Sequence, residues 1–507
     1  MLTVVRVVAV GDRRLTICIR LVVLRVVGRL RGLLMLAAAG TACVAWALSS
    51  PAGSAPDGDY HLANVWCAGG VERNVCERDP ASGEYRVPRG LLRYSGPLGH
   101  ICYVGNPGAS ADCLRDIDAT VATQLESTSR LAFTLEPSVF ARTQHAFVGS
   151  EVERAAWRMR VANVLVALGA LAVAASLARE GARALAVALV AIGAPVGVFY
   201  VTAVHPQSWV FALLPTGWLV ADAAVQRLAT ARSVRWGAAL VLGVAMMWLA
   251  YDARPRDGWA FVGIAALVMV ARHAPASAAD RRVRLALGAI GVLAALFIFR
   301  RLGGLDGAIA QLDLGDADGA WRRLVSDAPG TLRDIVGGGN ALGSSDVPMP
   351  PIVGVFGVVA LGTAMAAAHV RMPRRSWAVF GALVFLVVFL PWKLGDIGVS
   401  GRYVWVLAAI ALTYYFLECR PGGVVIAEMP RTARRVIVAS AGLANAFALH
   451  AHIRRYVTGS DVVGWNLNRD AEWWWPFGPA PMTTWLLGSA AFALAAGLVM
   501  FPARRPT

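Results

Sequence analysis

Apolar residues in this chain gather into long runs separated by short, arginine-bearing segments. A hydrocarbon core about 30 Å thick takes about 20 residues of helix per crossing. Runs of roughly that length recur along the chain, and the pattern predicts an all-α polytopic integral membrane protein of about twelve transmembrane helices. They fall near 33–50, 161–178, 184–203, 208–225, 236–251, 258–272, 285–300, 351–370, 377–392, 403–418, 435–452 and 484–501. Two of them, 258–272 and 285–300, are short enough to be tilted or partly re-entrant.

Composition supports the bilayer: of 507 residues 57% are hydrophobic and only 16% charged, with a mean hydropathy of +0.56. The net charge of +16 is set by topology rather than by nucleic acid. Arg13, Arg14, Arg20, Arg25, Arg29 and Arg31 precede the first run. Further arginines then return in every second connection, at Arg227 to Arg235, Arg272 to Arg284, Arg371 to Arg375, Arg431 to Arg435, and Arg504 with Arg505. By the positive-inside rule both termini are cytoplasmic, in a plasma membrane, with 1–32 a basic cytoplasmic segment, 33–50 an uncleaved first anchor and 502–507 a short tail. The larger connections, 51–160, 302–350 and 453–483, are then extracytoplasmic, around a multi-helix membrane domain over 161–501.

The first of these loops holds Cys67, Cys76, Cys102 and Cys113. Four cysteines in an exported segment predict two disulfides. Local pairing of Cys67 with Cys76 and of Cys102 with Cys113, one of three connectivities, closes the shortest loops. Zinc is the alternative, which the lack of a CxxC spacing disfavours. Leu114, Ile117, Val121 and Leu125 recur at a helical period within 111–133, and Ser150 with Glu153 has the spacing of a capping box. In the second loop Asp313, Asp316 and Asp318 lack the spacing of a calcium loop and suit a solvated helix start.

Candidate chemistry concentrates on the outer side. Asp57 and Asp59 stand just beyond the first span with Tyr60 and His61. A carboxylate there can take the proton of an attacking hydroxyl, and a pair can hold a divalent Mg or Mn ion against a diphosphate. The same residues after Pro56 also suit a plain polar turn. His205 and Gln207 lie in a short outer turn, Arg402 and Tyr403 at the start of a later span, and Arg454 and Arg455 after another. Arginine on the outer side suits an anionic headgroup, since guanidinium matches phosphate oxygens, or snorkels to the interface. Trp465 and the run Trp473-Trp474-Trp475 are either an interfacial belt or faces on which a sugar stacks.

The segment PDGDYHLANVWCAGG, the cysteines that follow it, SGRYVW at 400–405 and RRYVTG at 454–459 resemble the actinobacterial branch of a polytopic family, the domain of unknown function 2142. That family is similar to the GT-C glycosyltransferases, which draw sugars from polyprenyl-phosphate donors. The resemblance implies a GT-C-like fold and sugar transfer to a glycan acceptor in cell-envelope or lipid-linked saccharide assembly, with Asp59 as base. It puts Asp57, Tyr60 and His61 beside that base; with Tyr60, the outer-side residues His205, Gln207, Arg402, Tyr403, Arg454, Arg455 and Trp465 are then the expected surroundings of the substrate. Where the family commonly has PDEDYH, this chain has Gly58, one carboxylate fewer. The readings outside enzymology are a transporter or flippase of lipid-linked sugars and a non-catalytic envelope scaffold.

Overall fold

The structure, a computed structural model, describes residues 13–71, 75–79, 81, 85–88, 91, 103–114, 125–128, 138–228, 233–273, 288, 291–292, 317–337, 339, 342–343, 346–393 and 401–502. Among them, helices dominate: α1 Arg13–Leu48, α2 Gly58–Trp66, α3 Val139–His145, α4 Val152–Leu177, α5 Arg179–Ile192, α6 Val198–Thr202, α7 Gln207–Leu228, α8 Val234–Ala253, α9 Pro255–His273, α10 Ala317–Ile335, α11 Pro351–Ala368, α12 Arg374–Lys393, α13 Gly401–Glu418, α14 Arg431–Val457 and α15 Pro481–Met500. Helices lie at eleven of the twelve expected positions, and almost all of 285–300 is outside the described residues. Among the described residues eight spans are long and apolar enough to cross a membrane. One of them, Arg179–Thr202, joins α5 to α6 through a break at Gly193–Gly197, where Ala194 leaves helical geometry beside Pro195.

Small residues bring helices together where an apolar solvent gives no drive of its own. A Cβ on Gly243 of α8 would lie 2.6 Å from the Ala221 nitrogen of α7, and one on Gly217 would lie 2.9 Å from the Gly243 carbonyl oxygen. The two backbones therefore touch.

The bundle has two ends. At the far end the last carbonyls of α15 are met by guanidinium groups: Arg31 donates to Leu498 and Phe501, and Arg434 to Met500. These contacts satisfy acceptors that a helix terminus leaves open. There also Arg272 of α9 bonds Asp222 of α7 and, at 2.9 Å, Glu418 of α13. His273 reaches Asp222 at 2.7 Å, and Ser376 of α12 donates to Glu418 at 3.0 Å. Four helices are tied by one charge cluster.

At the other end, here called the loop end, lies a three-stranded antiparallel sheet of β1 Glu77–Arg78, β2 Tyr85–Pro88 and β3 Leu125–Thr128, in the order β1-β2-β3. Leu125, expected on a helix, stands instead on β3 opposite Pro88; strand pairing outweighs a local helical period. Ile117 and Val121 lie outside the described residues. The expected capping box is also displaced: α4 starts at Val152 with Glu151 as its N-cap residue, and Glu151 pairs with Arg154 at 2.9 Å. The Cys67–Cys76 disulfide is present, with Cα atoms 5.2 Å apart. Cys113 is also disulfide-bonded, while Cys102 is outside the described residues. Asp318 falls in the first turn of α10, as a helix start requires; Asp313 and Asp316 are not described.

Candidate functional site at the loop end

The site begins where α1 stops. The chain turns back over Ser49–Pro56, all buried, and this turn needs donors for its carbonyls. Arg160 of α4, itself buried, donates to Ala47 at 2.6 Å, Ser50 at 2.7 Å and Pro51 at 2.6 Å. The Trp475 indole donates to Leu48 at 2.8 Å. Asp57 then takes a left-handed conformation, φ 53°, and remains exposed. Gly58 follows because nothing larger fits: a Cβ there would stand 2.6 Å from the Gly53 carbonyl oxygen.

Residues 57–61 thus form the start of α2, a nine-residue helix. Its far end is held by the Cys67–Cys76 disulfide and by His145 of α3, whose Nδ1–H donates to the Val65 carbonyl at 2.9 Å. The His61 ring meets the His205 ring edge to face, centroids 4.3 Å apart. His205 sits between α6 and α7 and is buried. Its Nδ1 accepts the Gln207 N–H at 3.0 Å, capping α7, and the proton of the neutral imidazole therefore sits on Nε2. Beneath lies a polar knot in which the Asn163 side-chain oxygen accepts from Gln144 at 2.8 Å and from Trp209 at 3.2 Å, while its amide donates to Ala203.

From His205 the contacts run on as a chain of rings. Tyr200 is 6.0 Å away, Phe199 is 5.1 Å from Tyr200, His452 of α14 is 5.0 Å from Phe199, Tyr456 is 5.2 Å from His452, and Tyr103 is 5.4 Å from Tyr456. A branch passes from Tyr200 to Phe211 at 5.6 Å and on to Trp405, stacked at 4.6 Å. Ser49 donates its hydroxyl proton to the Trp46 carbonyl at 2.6 Å. It therefore accepts from His452 Nδ1–H at 2.8 Å, and His452 Nε2 is left an acceptor with no hydrogen-bond partner among the described residues.

The structure brings Tyr60, His61, His205 and Gln207 to one place. Tyr403 faces Arg254, 4.7 Å from guanidinium carbon to ring centre, and belongs to the neighbouring wall. The two consecutive arginines hold protein. Arg455 donates to the carbonyls of Ala109 at 2.5 Å, Tyr103 at 2.7 Å and Asp346 at 3.3 Å, and pairs with the Asp346 carboxylate at 2.8 Å. Arg454 donates to Gly464 at 2.8 Å and Asn466 at 3.0 Å, fixing the loop that carries Trp465. Trp465 is 61% exposed and packs with His450 and Trp485 apart from the ring chain. Trp473 and Trp475 are buried. The side chains of Asp59 and Arg402 lie outside the described residues, though both stand in the first turns of their helices.

Sequence reasoning missed Arg160 and Asp346. Arg160 had a signal, a charge inside the span Val152–Leu177. Asp346 had none until its partner was known. For the divalent ion, the described residues offer no group of three or more His, Cys, Asp or Glu able to hold one. Gly58 sits in a space that admits no side chain, a Cβ there standing 2.6 Å from the Gly53 carbonyl oxygen. The described residues do not make up a metal site.

A bundle of membrane-spanning helices with a polar, ring-lined cluster at one end defines a polytopic membrane protein whose environment is the lipid bilayer. A family model described as "Predicted membrane protein (DUF2142)" matches residues 41–411, and the chain belongs to that family. No curated protein and no solved structure matches it.

Proposed function

We propose that this protein is a membrane glycosyltransferase that takes its sugar from a polyprenyl-phosphate donor, with the loop end on the outer face of the plasma membrane. The observation that carries the reading is the contact of His61 with His205 at 4.3 Å. It joins the acidic segment after the first span to the turn before α7, two regions 144 positions apart in sequence.

In this reading Asp59 takes the proton of the acceptor hydroxyl as the hydroxyl oxygen bonds to the anomeric carbon. The bond from that carbon to the phosphate oxygen breaks, its electron pair stays on the polyprenyl phosphate, and the anomeric configuration inverts. A phosphate leaving group needs no general acid. His205, protonated on Nε2, and Arg402 are the groups assigned to the leaving phosphate, where positive charge and N–H donors count most. Arg454 and Arg455 are already spent on carbonyls and the Asp346 carboxylate.

The test is complementation of a deletion strain by wild type and by Asp59→Asn, with mass spectrometry of polyprenyl-phosphate sugars and envelope glycans. Removing a general base costs about 10²- to 10⁴-fold in rate. The mutant is expected to accumulate a lipid-linked sugar and to lack one glycan residue; matching profiles would overturn the reading. A carrier of lipid-linked sugars is the second reading, favoured by the broken span at Gly193–Gly197, since interrupted helices mark the sites of many transporters.

A further inference from the structure

We propose that the half-open cavity bordered by α1, α4, α5, α7 and α15 holds one long hydrocarbon chain of the lipid substrate, with the phosphate end reaching the His61–His205 pair. The inference rests on the transferase reading and names the part of the protein that holds the tail.

The cavity has a volume of about 610 Å³, within the usual range for ligand sites of about 300 to 1,000 Å³. Along α1 it extends from Gly32 to Cys43, eleven steps of 1.5 Å or about 16 Å. That is about half the thickness of a hydrocarbon core. Its lining is almost wholly apolar, and the two hydroxyls in it are turned away. Ser176 bonds the Val173 carbonyl at 2.8 Å and Thr216 the Ala212 carbonyl at 2.5 Å, each in its own helix. An occupant finds dispersion contacts and almost no hydrogen bonds, which selects hydrocarbon over a sugar or a headgroup.

Two features join this space to the site. Phe211 and Trp405 both line it, and they form the branch of the ring chain that passes through Tyr200 to His205. The break in the α5–α6 span lines it as well, through Gly193 and Gly197. Non-helical backbone at membrane depth is tolerated where it is buried in protein or borders a cavity. Here Trp405 donates its indole N–H to the Ile192 carbonyl at 2.9 Å, leaving the wall beside the break free of an unmet acceptor at that residue. The rings shared by the cavity wall and the chain leading to His205 favour the tail of the substrate over a bulk bilayer lipid.

The test uses the full-length protein in nanodiscs and a long-chain isoprenyl phosphate carrying a diazirine near the end of its chain. Crosslinks are expected on residues 32–43 of α1 and 182–190 of α5. Two substitutions at partly exposed lining positions, Ala186→Trp on α5 and Ala172→Phe on α4, each fill the space from a different wall. Labelling is expected to fall about tenfold in both, the change that accompanies about 1.4 kcal/mol. Asp59→Asn, which leaves the cavity intact, is expected to label like wild type. Crosslinks elsewhere, or labelling indifferent to both substitutions, would overturn the proposal. So would equal competition by a diacyl phospholipid, which would make the occupant an ordinary membrane lipid. Failure of the transferase reading is separate: an Asp59→Asn strain with unchanged glycans removes that reading while normal crosslinking keeps the chain site.

Discussion

The far end and the loop end of this bundle both bury charge, and they satisfy it in different ways. At the far end Arg272 lies between two carboxylates, Asp222 and Glu418, with His273 and Ser376 closing the set. Side chains from four helices answer one another there. At the loop end Arg160, Arg454 and Arg455 donate mainly to backbone carbonyls of turns. The first arrangement fastens helix to helix, whereas the second fixes the path of connecting chain. A candidate site built on turns needs the second kind, because helix packing alone does not determine where residues 49–57 or 461–466 run.

The contrast can be broken most forcefully at Arg455. Its side chain is fully buried against Asp346, which is 7% exposed. Arg455→Met would take the guanidinium away from that carboxylate and from the three carbonyls it bonds. Removing one partner of a buried pair costs about 3–5 kcal/mol, and here the loss should reach the upper part of that range. The expected result is a marked fall in thermal stability of the detergent-solubilised protein. Easier proteolysis of the segment around Tyr103 and Ala109 should accompany it, because Arg455 bonds both carbonyls. An unchanged melting profile would mean that the brace is dispensable.

Arg272→Ala is the matching change at the far end. Two carboxylates lose their shared partner, but the side chain is 14% exposed and His273 still faces Asp222 at 2.7 Å. The loss should fall in the lower part of the same range, about 3 kcal/mol. Thermal stability should drop while proteolysis around Tyr103 stays as in wild type. If both variants opened the same segment, the two ends would not be independent.

How much of this was legible in the sequence follows from which forces act locally. Apolar runs long enough to cross a membrane found the helices, since hydropathy is a property of each segment alone. Their limits were less visible: α14 runs on to Val457, past the expected 452, because the charges of Arg454 and Arg455 are met by partners distant in sequence. Pro195 inside an apolar run was a readable warning of the break in the α5–α6 span. The Asp57–His61 segment and the His205 turn were both singled out in the sequence, and their contact required the fold. Arg455 was taken for a phosphate ligand because its true partner, Asp346, lies 109 positions away. The Cys67–Cys76 pairing was legible because a short loop favours closure. Leu125 was misread because its strand partner Pro88 is remote.

The finest test of the loop end is Gly58, at the start of α2. In Gly58→Ala the new methyl group would stand 2.6 Å from the Gly53 carbonyl oxygen and 2.9 Å from its carbon. Both are backbone atoms that cannot rotate aside, so the buried turn or the start of α2 has to move. Overpacking of this kind costs about 1–3 kcal/mol. Gly169→Ala in the middle of α4 is the control, since a Cβ there meets nothing within 4 Å; with only helix propensity at stake it should gain about 0.5–1 kcal/mol. The two substitutions therefore predict melting shifts of opposite sign for the same added atom. Complementation sharpens the result, because displacing α2 moves Asp59 and His61 together, and Gly58→Ala should reduce function more than its loss of stability accounts for. If Gly58→Ala instead tracked the control in both measurements, the turn over Gly53 would be soft, and the position of the acidic segment would have to be set by the disulfide and His145 alone.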